Sequence, residues 1–224
     1  MAERYVWKEI PGSSHDLLRR WIREGEGGLR LLDLGAAGGH LGRAVRDRCA
    51  FLAGVESDPA LPASAREGYD EWRAADASSA GTWSEPFDAV VCGDVLEHLA
   101  RPEELLARIR DWLRPGGRLY VSVPNVANVT VRAALLLGRF PYAERGILDR
   151  THLRFYTRRT ARELVERAGF RIRRDAATAM PLELAVPALG RPPLRNPSRA
   201  LAVGAARVWP TLFGYQVVIE AERT

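Results

Sequence analysis

The chain of 224 residues is long enough to bury one sizeable core, and its 46% hydrophobic content is that of an ordinary globule, not a fibrous or disordered chain. No signal-like apolar run opens it, no stretch reaches membrane-spanning length, and 2 cysteines exclude a disulfide framework, so the cytoplasm is the expected location. The pI near 9.7 would suit nucleic acid, but of the 33 basic residues only Lys8 is a lysine; this bias toward arginine is compositional, and no nucleic-acid partner is expected.

Apolar runs of strand length alternate with helical patterns, which is how a parallel α/β sheet reads. LRLLDLG is a first strand, and HLGRAVRDR follows as a helix with Leu41, Ala44, Val45 and Arg48 on one side. FLAGVES is a second strand, EWRAADA ends a third with Asp76 at its tip, and FDAVVCGD is a fourth. PEELLARIRDWL is a helix opened by Pro102 and closed by RPGG; RLYVSVPN is a fifth strand. Continuous rather than alternating hydrophobicity, as in LRLL and DAVV, marks strands buried on both faces.

After Asn125 the rhythm breaks for about thirty residues. It resumes at TRRTARELVERAGF, where Thr160 and Glu163 predict a capping box, Ala161, Leu164, Val165 and Ala168 an apolar stripe, and Gly169 a stop. RIRRDAAT is a sixth strand, residues 180–210 a second irregular insertion, and GYQVVIEAE a last strand. Insertions after late strands fall at the carboxyl ends of the sheet, where open α/β folds bind ligands, so both read as lids. Residues 126–224 hold 17 arginines and 8 acids, against 16 basic and 20 acidic residues in 1–125. That asymmetry favours an anionic acceptor under the lids.

The glycine-rich stretch LLDLGAAGGHLG does not suit a phosphate. Ala37 occupies the middle glycine position of G-x-G-x-x-G, and no G-K-[ST] follows. Asp33, two residues before the first glycine, would repel a pyrophosphate and attract an ammonium or sulfonium. A nucleoside carrying a cationic amino acid, as in S-adenosylmethionine, meets that requirement. Glu56 ends the second strand where an acid accepts ribose hydroxyls, and Asp76 ends the third, placed to take an adenine amine. Solvated strand ends are the alternative reading of these three acids.

LLDLGAAGGHLG, GVESDP, FDAVVCGDVLEHL and LRPGGRLYVSVPN resemble the motifs of class I S-adenosylmethionine-dependent methyltransferases, densely over 29–125 and loosely beyond. The resemblance implies a Rossmann-like, mostly parallel α/β sheet of seven strands, the last antiparallel, with helices on both faces and lid insertions after strands five and six. It implies one domain over 1–224, with a cofactor-binding core at 29–125 and substrate lids at 126–156 and 180–210. Cofactor contacts are implied at Asp33, Gly35, Gly39, Glu56, Asp76 and the backbone around Cys92 and Gly93, with S-adenosylhomocysteine as product. Ala37 departs from the family's usual glycine, and the backbone there is expected to avoid positive φ.

Methyl transfer to a hydroxyl needs a base, and histidine suits the task. His15 reads as a surface or cap residue and His40 as lining the cofactor. His98 follows the fourth strand at the active face. His152, in LDRTHLRFYT among Phe140, Tyr142, Phe155 and Tyr156, is the leading candidate base, with Arg150 and Arg154 as anchors for an acceptor's negative charge. Asp94, Glu97, His98 and His152 also resemble the metal-binding quartet of small-RNA 2′-O-methyltransferases and a motif of quinone O-methyltransferases. The same D-x-x-E-H occurs without metal, so no metal is assigned. The second lid, with Trp209 and Phe213 among its arginines, reads as a helix over the sheet or as a clasp for an anionic or lipidic acceptor. DRTHLRFYT with such lids is similar to bacterial natural-product and saccharide methyltransferases. The resulting expectation is methyl transfer to a small, anionic acceptor, foremost at oxygen, in a chain able to pair through its lids as a homodimer. N- or C-methylation, a metal-dependent RNA or lipid-linked saccharide enzyme, and a non-catalytic binding subunit are the alternatives.

Overall fold

The computed structural model describes residues 11–180, 188 and 191–224. Seven strands form one sheet: β1 (Leu29–Leu34), β2 (Cys49–Glu56), β3 (Glu71–Ala74), β4 (Phe87–Gly93), β5 (Leu113–Pro124), β6 (Phe170–Ala179) and β7 (Gly214–Arg223). Their order is β3-β2-β1-β4-β5-β7-β6. The first five pair in parallel, and β7 lies antiparallel between β5 and β6. This is the expected α/β architecture.

Each central strand sends successive side chains to opposite faces, and each face has its own helices. On one face Leu31, Leu52, Val91 and Val218 pack with Leu18, Trp21 and Ile22 of α1 (Ser14–Glu24) and Leu41 and Val45 of α2 (His40–Val45). On the other, Leu32, Val55, Val90, Val121 and Ile219 pack with Leu105, Leu106 and Ile109 of α3 (Pro102–Trp112) and Ala161 and Val165 of α5 (Arg158–Arg167). Helix α4 (Val129–Leu136) lies between β5 and α5 in the chain. Full burial of a leucine or isoleucine contributes about 1.5–3 kcal/mol, so Leu18 and Ile22, both at 0% exposure, are the main apolar anchors of α1 on the sheet, with Trp21 beside them.

Three local expectations change. The capping box of α5 lies one turn earlier than the TRRT pattern suggests: Thr157 is the N-cap, and its side chain and that of Thr160 exchange bonds with each other's backbone. Thr157 wins because Thr160 is already inside the helix as its third residue. Segment 126–156 is not wholly irregular, since Asn128 caps α4 by accepting from the Thr130 amide. Within the 180–210 insertion a helix, Arg195–Val208, replaces irregular chain, in keeping with the reading of the second lid as a helix over the sheet; its buried Ser198, Ala202 and Ala206 let it lie close to the strands. The part of that predicted lid at 181–187 and 189–190 lies outside the described residues. Among the described residues no helix is long and apolar enough to cross a membrane.

The ends of β5 and β7 are stitched together by two asparagines at 0% exposure. Asn125 donates to the carbonyls of Thr211 and Gly214 at 3.0 and 2.9 Å, and Asn128 also donates to Gly214 at 2.9 Å. These bonds fix where the chain leaves the sheet above the carboxyl ends of the parallel strands.

Candidate functional site

Those carboxyl ends open into a cleft of about 570 Å³ lined from β1, β2, β4 and the segments that follow them. The turn after β1 is its floor. The Gly35 and Ala36 amides donate to the Val55 carbonyl at 2.9 and 3.1 Å, and Gly39 closes the turn onto the Ala36 carbonyl at 2.8 Å. Gly39 has φ +70°, and a Cβ there would lie 2.0 Å from the Ala65 carbonyl oxygen. Only glycine fits.

Ala37 overturns the expectation made for it. Its φ is +46°, in the left-handed region, where alanine costs about 1–2 kcal/mol. The compensation comes from Glu56, whose Oε2 accepts the Ala37 amide at 2.8 Å while Oε1 accepts the Asp58 amide at 2.9 Å. A charge-assisted bond of this kind offsets a strain of that size.

Asp33 lies beneath this turn at 3% exposure. Burial pushes its carboxyl up to about 6; the Tyr69 hydrogen bond opposes the rise, and the charge of Glu56 adds to it. The Tyr69 hydroxyl donates to Asp33 Oδ2 at 2.7 Å. Tyr69 reaches that position because two glycines leave room: a Cβ on Gly42 would meet its hydroxyl at 2.2 Å, and one on Gly54 its ring at 2.8 Å. Gly42, the last glycine of the loop motif, thus serves a tyrosine 27 residues downstream in the chain. No local pattern points to Tyr69, which sequence reasoning missed.

Of the other expected cofactor contacts, Gly35, Glu56, Asp76 and Gly93 line the cleft with Asp33. Asp76 is exposed and also accepts the Ser78 amide at 2.8 Å as the cap of a short turn. Gly39 shapes the turn from outside the lining. The Cys92 side chain is fully buried in the core, so only its neighbours face the cleft. His40 lines it as expected, and so does His15, which joins the wall because α1 packs beside β1 and β4.

The far end of the cleft gathers Asp94, Glu97, His98, Asp149, His152, Arg145, Tyr215 and Gln216. Asp94 has φ +55° and is held there on both carboxylate oxygens, accepting from Ser122 Oγ at 2.7 Å and from Gln216 Nε2 at 2.8 and 2.7 Å. Glu97 and the 152–154 segment are joined by backbone: the Leu153 and Arg154 amides donate to the Glu97 carbonyl at 2.8 and 3.0 Å. That junction sets the His98 and His152 rings edge to face, 4.8 Å apart. His152 is half-buried, and burial lowers its pKa. Glu97 is 1% exposed, and burial first, then the Asp94 charge, holds its carboxyl well above the usual carboxylate range.

The arginines expected as anchors are elsewhere. Arg150 pairs with Glu144 at 3.0 Å, and Arg154 donates through Nε to the Ala100 carbonyl at 3.1 Å; neither lines the cleft, whereas Arg145 does. The aromatics stand behind His152 as support: Phe155 lies 6.4 Å from its ring and Phe140 5.5 Å from Phe155.

The order β3-β2-β1-β4-β5-β7-β6 with β7 antiparallel is a Rossmann-like α/β sheet, and its cleft lies at the carboxyl ends of the parallel strands, where such folds bind ligands; the class it serves here is the methyltransferases. The chain belongs to that family of S-adenosylmethionine-dependent enzymes: residues 6–174 match the family described as "Methyltransferase domain". The ubiquinone biosynthesis O-methyltransferase of Aeromonas salmonicida is 32% identical over 117 residues, 47% of this chain and 48% of that protein. The chain thus spans about half the length of such curated relatives. Among solved structures, magnesium protoporphyrin IX methyltransferase from Synechocystis, crystallised with S-adenosylhomocysteine, superposes with a TM-score of 0.63 at 17% identity, covering 94% of this chain and 82% of that one. The [4+2]-cyclase SpnF superposes at 0.60 with 24% identity, covering 93% and 80%.

Proposed function

We propose that this chain transfers the methyl group of S-adenosylmethionine to a hydroxyl oxygen of a small, anionic acceptor, as a cytoplasmic biosynthetic enzyme. The observation that carries the reading is Asp33. A carboxylate buried at the floor of an open cleft, with no basic side chain pairing with it among the described residues, calls for a cationic ligand. The cofactor's ammonium is such a cation. Glu56 at the end of β2 would accept the ribose hydroxyls and Asp76, beyond β3, would take the adenine amine; both line the cleft, and the turn from Gly35 to Gly39 would give the backbone room to approach.

When bound, the cofactor supplies an electrophilic methyl carbon on a sulfonium. The chain supplies placement, worth about 7–11 kcal/mol when reactants are well aligned. The acid floor holds one reactant while the imidazoles of His98 and His152 receive the acceptor's hydroxyl at the other end and ease loss of its proton. Arg145 draws the acceptor's negative charge, and segment 126–156 closes over it. The name of the Aeromonas relative, a ubiquinone biosynthesis O-methyltransferase, supports oxygen as the target.

The test is calorimetric titration with S-adenosylhomocysteine, followed by methyl transfer from labelled cofactor to a panel of small phenols, catechols and sugars. Binding with label appearing in an ether-linked product is the expected result. Absence of binding would overturn the reading, and label on nitrogen or carbon alone would move the acceptor atom.

A further inference from the structure

We propose that the helix Arg195–Val208, with Trp209 at its end, is a docking surface for the anionic face of a phospholipid bilayer, on which the protein rests without crossing it. The helix lies beyond residues 6–174, the part of the chain that matches the methyltransferase family. The surface stands apart from the methyl-transfer reading and does not depend on it.

One side of the helix faces its own protein. Ser198, Ala202 and Ala206 recur every fourth residue, are buried, and let the helix lie against β6 and β7. A second stripe points outward. Leu194, Pro197, Leu201, Gly204 and Val208 step by three and four, which aligns them along one side, and all five are exposed. Leu201 stands at 71% and Val208 at 88% exposure, and Trp209 follows at 57%. A helix that packs on its core by one stripe ordinarily turns polar residues to water on the others. Here the outer stripe carries none, which marks it as a contact for an apolar phase outside the chain.

Charge identifies that phase. Between Glu183 and Glu220 the chain holds four arginines, Arg191, Arg195, Arg199 and Arg207, and no acid. Arg191, Arg195 and Arg207 are exposed. The same face of a second copy would set arginine against arginine with no acid on either side to neutralise it. An anionic bilayer offers negative headgroups at its surface and acyl chains directly beneath. That layering matches this helix, whose leucine, valine and tryptophan can enter the interface while the arginines reach phosphates from beside them. Trp209 closes the stripe with the residue type that settles at headgroup level. Among the described residues no helix is long and apolar enough to span a membrane, so the contact is with one leaflet.

The contact also orients the cleft. The helix runs into the short helix Pro210–Phe213, where Asn125 and Asn128 hold the carbonyls of Thr211 and Gly214. Tyr215 and Gln216 come next in the chain and line the acceptor end of the cleft. A protein resting on this helix therefore keeps that end joined to the surface by a short, hydrogen-bonded stretch of chain.

The experiment is flotation of the full chain with vesicles of phosphatidylcholine alone, or of equal parts phosphatidylcholine and phosphatidylglycerol. It is run on wild type, on Leu201→Asp with Val208→Asp, and on Arg195→Glu with Arg207→Glu. Wild type should float with the anionic vesicles only, less so as salt rises, and both double variants should bind at least tenfold more weakly. Brominated acyl chains should quench wild-type fluorescence, and Trp209→Phe should remove that quenching. All substituted positions are exposed, and thermal melts verify that the variants are folded. The surface is overturned if wild type ignores anionic vesicles, if Leu201→Asp with Val208→Asp binds them as well as wild type, or if no quenching occurs. A dimer in sedimentation equilibrium that this same variant abolishes would overturn it too, by assigning the face to a second copy. S-adenosylhomocysteine titration of the same samples separates the two readings: vesicle binding in a chain that ignores S-adenosylhomocysteine upholds the surface and sinks methyl transfer, and the reverse result does the opposite.

Discussion

Replacing Tyr69 with phenylalanine removes one oxygen and leaves the ring seated between Gly42 and Gly54, so no cavity opens. What is lost is the donor to Asp33 Oδ2. A hydrogen bond to a charged acceptor contributes about 1.5–3 kcal/mol, or about 1–2 pK units. Asp33, which burial already pushes up to about 6, therefore rises to roughly 7–8 in the variant. The cofactor's ammonium prefers the ionised form, so affinity is lost as pH falls through the Asp33 pKa. At neutral pH the fraction ionised falls from about nine-tenths to between about one-half and one-tenth, a loss of about two- to tenfold in affinity. Calorimetry with S-adenosylhomocysteine from about pH 5.5 to about 8.5 should show the midpoint displaced upward by about 1–2 units, with the variant converging on wild type at the alkaline end. Identical midpoints would refute the assignment of Asp33 as the cation's partner. The same group acts on stability with a defined sign. Its folded value lies above the ordinary 3.8, so the free protein is favoured by this group at low pH, and about 3 kcal/mol is lost as pH rises through about 6. Bound cofactor should abolish that loss, which thermal melts at two pH values can read.

Gly39→Ala places a methyl group 2.0 Å from the Ala65 carbonyl in a left-handed residue, and should reduce S-adenosylhomocysteine binding at least tenfold by shifting the turn; unchanged binding would mean that the turn is not the cofactor floor. Glu56→Ala should weaken cofactor binding by about 1–3 kcal/mol in calorimetry. His152→Ala should instead lower turnover with cofactor affinity nearly unchanged, and equal affinity loss in both would erase the division between cofactor floor and acceptor end. Asn125→Ala removes the side-chain donor to the Thr211 carbonyl and one of the two to Gly214, and should destabilise the fold by about 1–3 kcal/mol in urea denaturation, where no measurable change would show that water replaces the amide.

The pattern of residues along the chain already specified the seven strands, the glycine turn and the acids at successive strand ends, because these depend on side-chain period and on backbone freedom within a few residues. Asp33, Glu56 and Asp76 could be placed from their positions alone, since a parallel sheet brings all its carboxyl ends to one edge. The capping residue of α5 and the φ of Ala37 could not. Both are settled by competition between bonds, and the one that fixes Ala37 comes from Glu56 on the neighbouring strand.

The partners of the site's side chains were decided by the tertiary structure. Tyr69 meets Asp33, and His98 meets His152, only because crossovers and a backbone junction at Glu97 bring distant segments over the same strand ends. The same packing removed Arg150 and Arg154 from the cleft, admitted His15 and Arg145, and left Glu97 buried beside two imidazoles. Hydropathy period records which way a residue faces on its own element; it carries no information about which other element will lie against it, and the chemistry of this cleft depends on that second quantity.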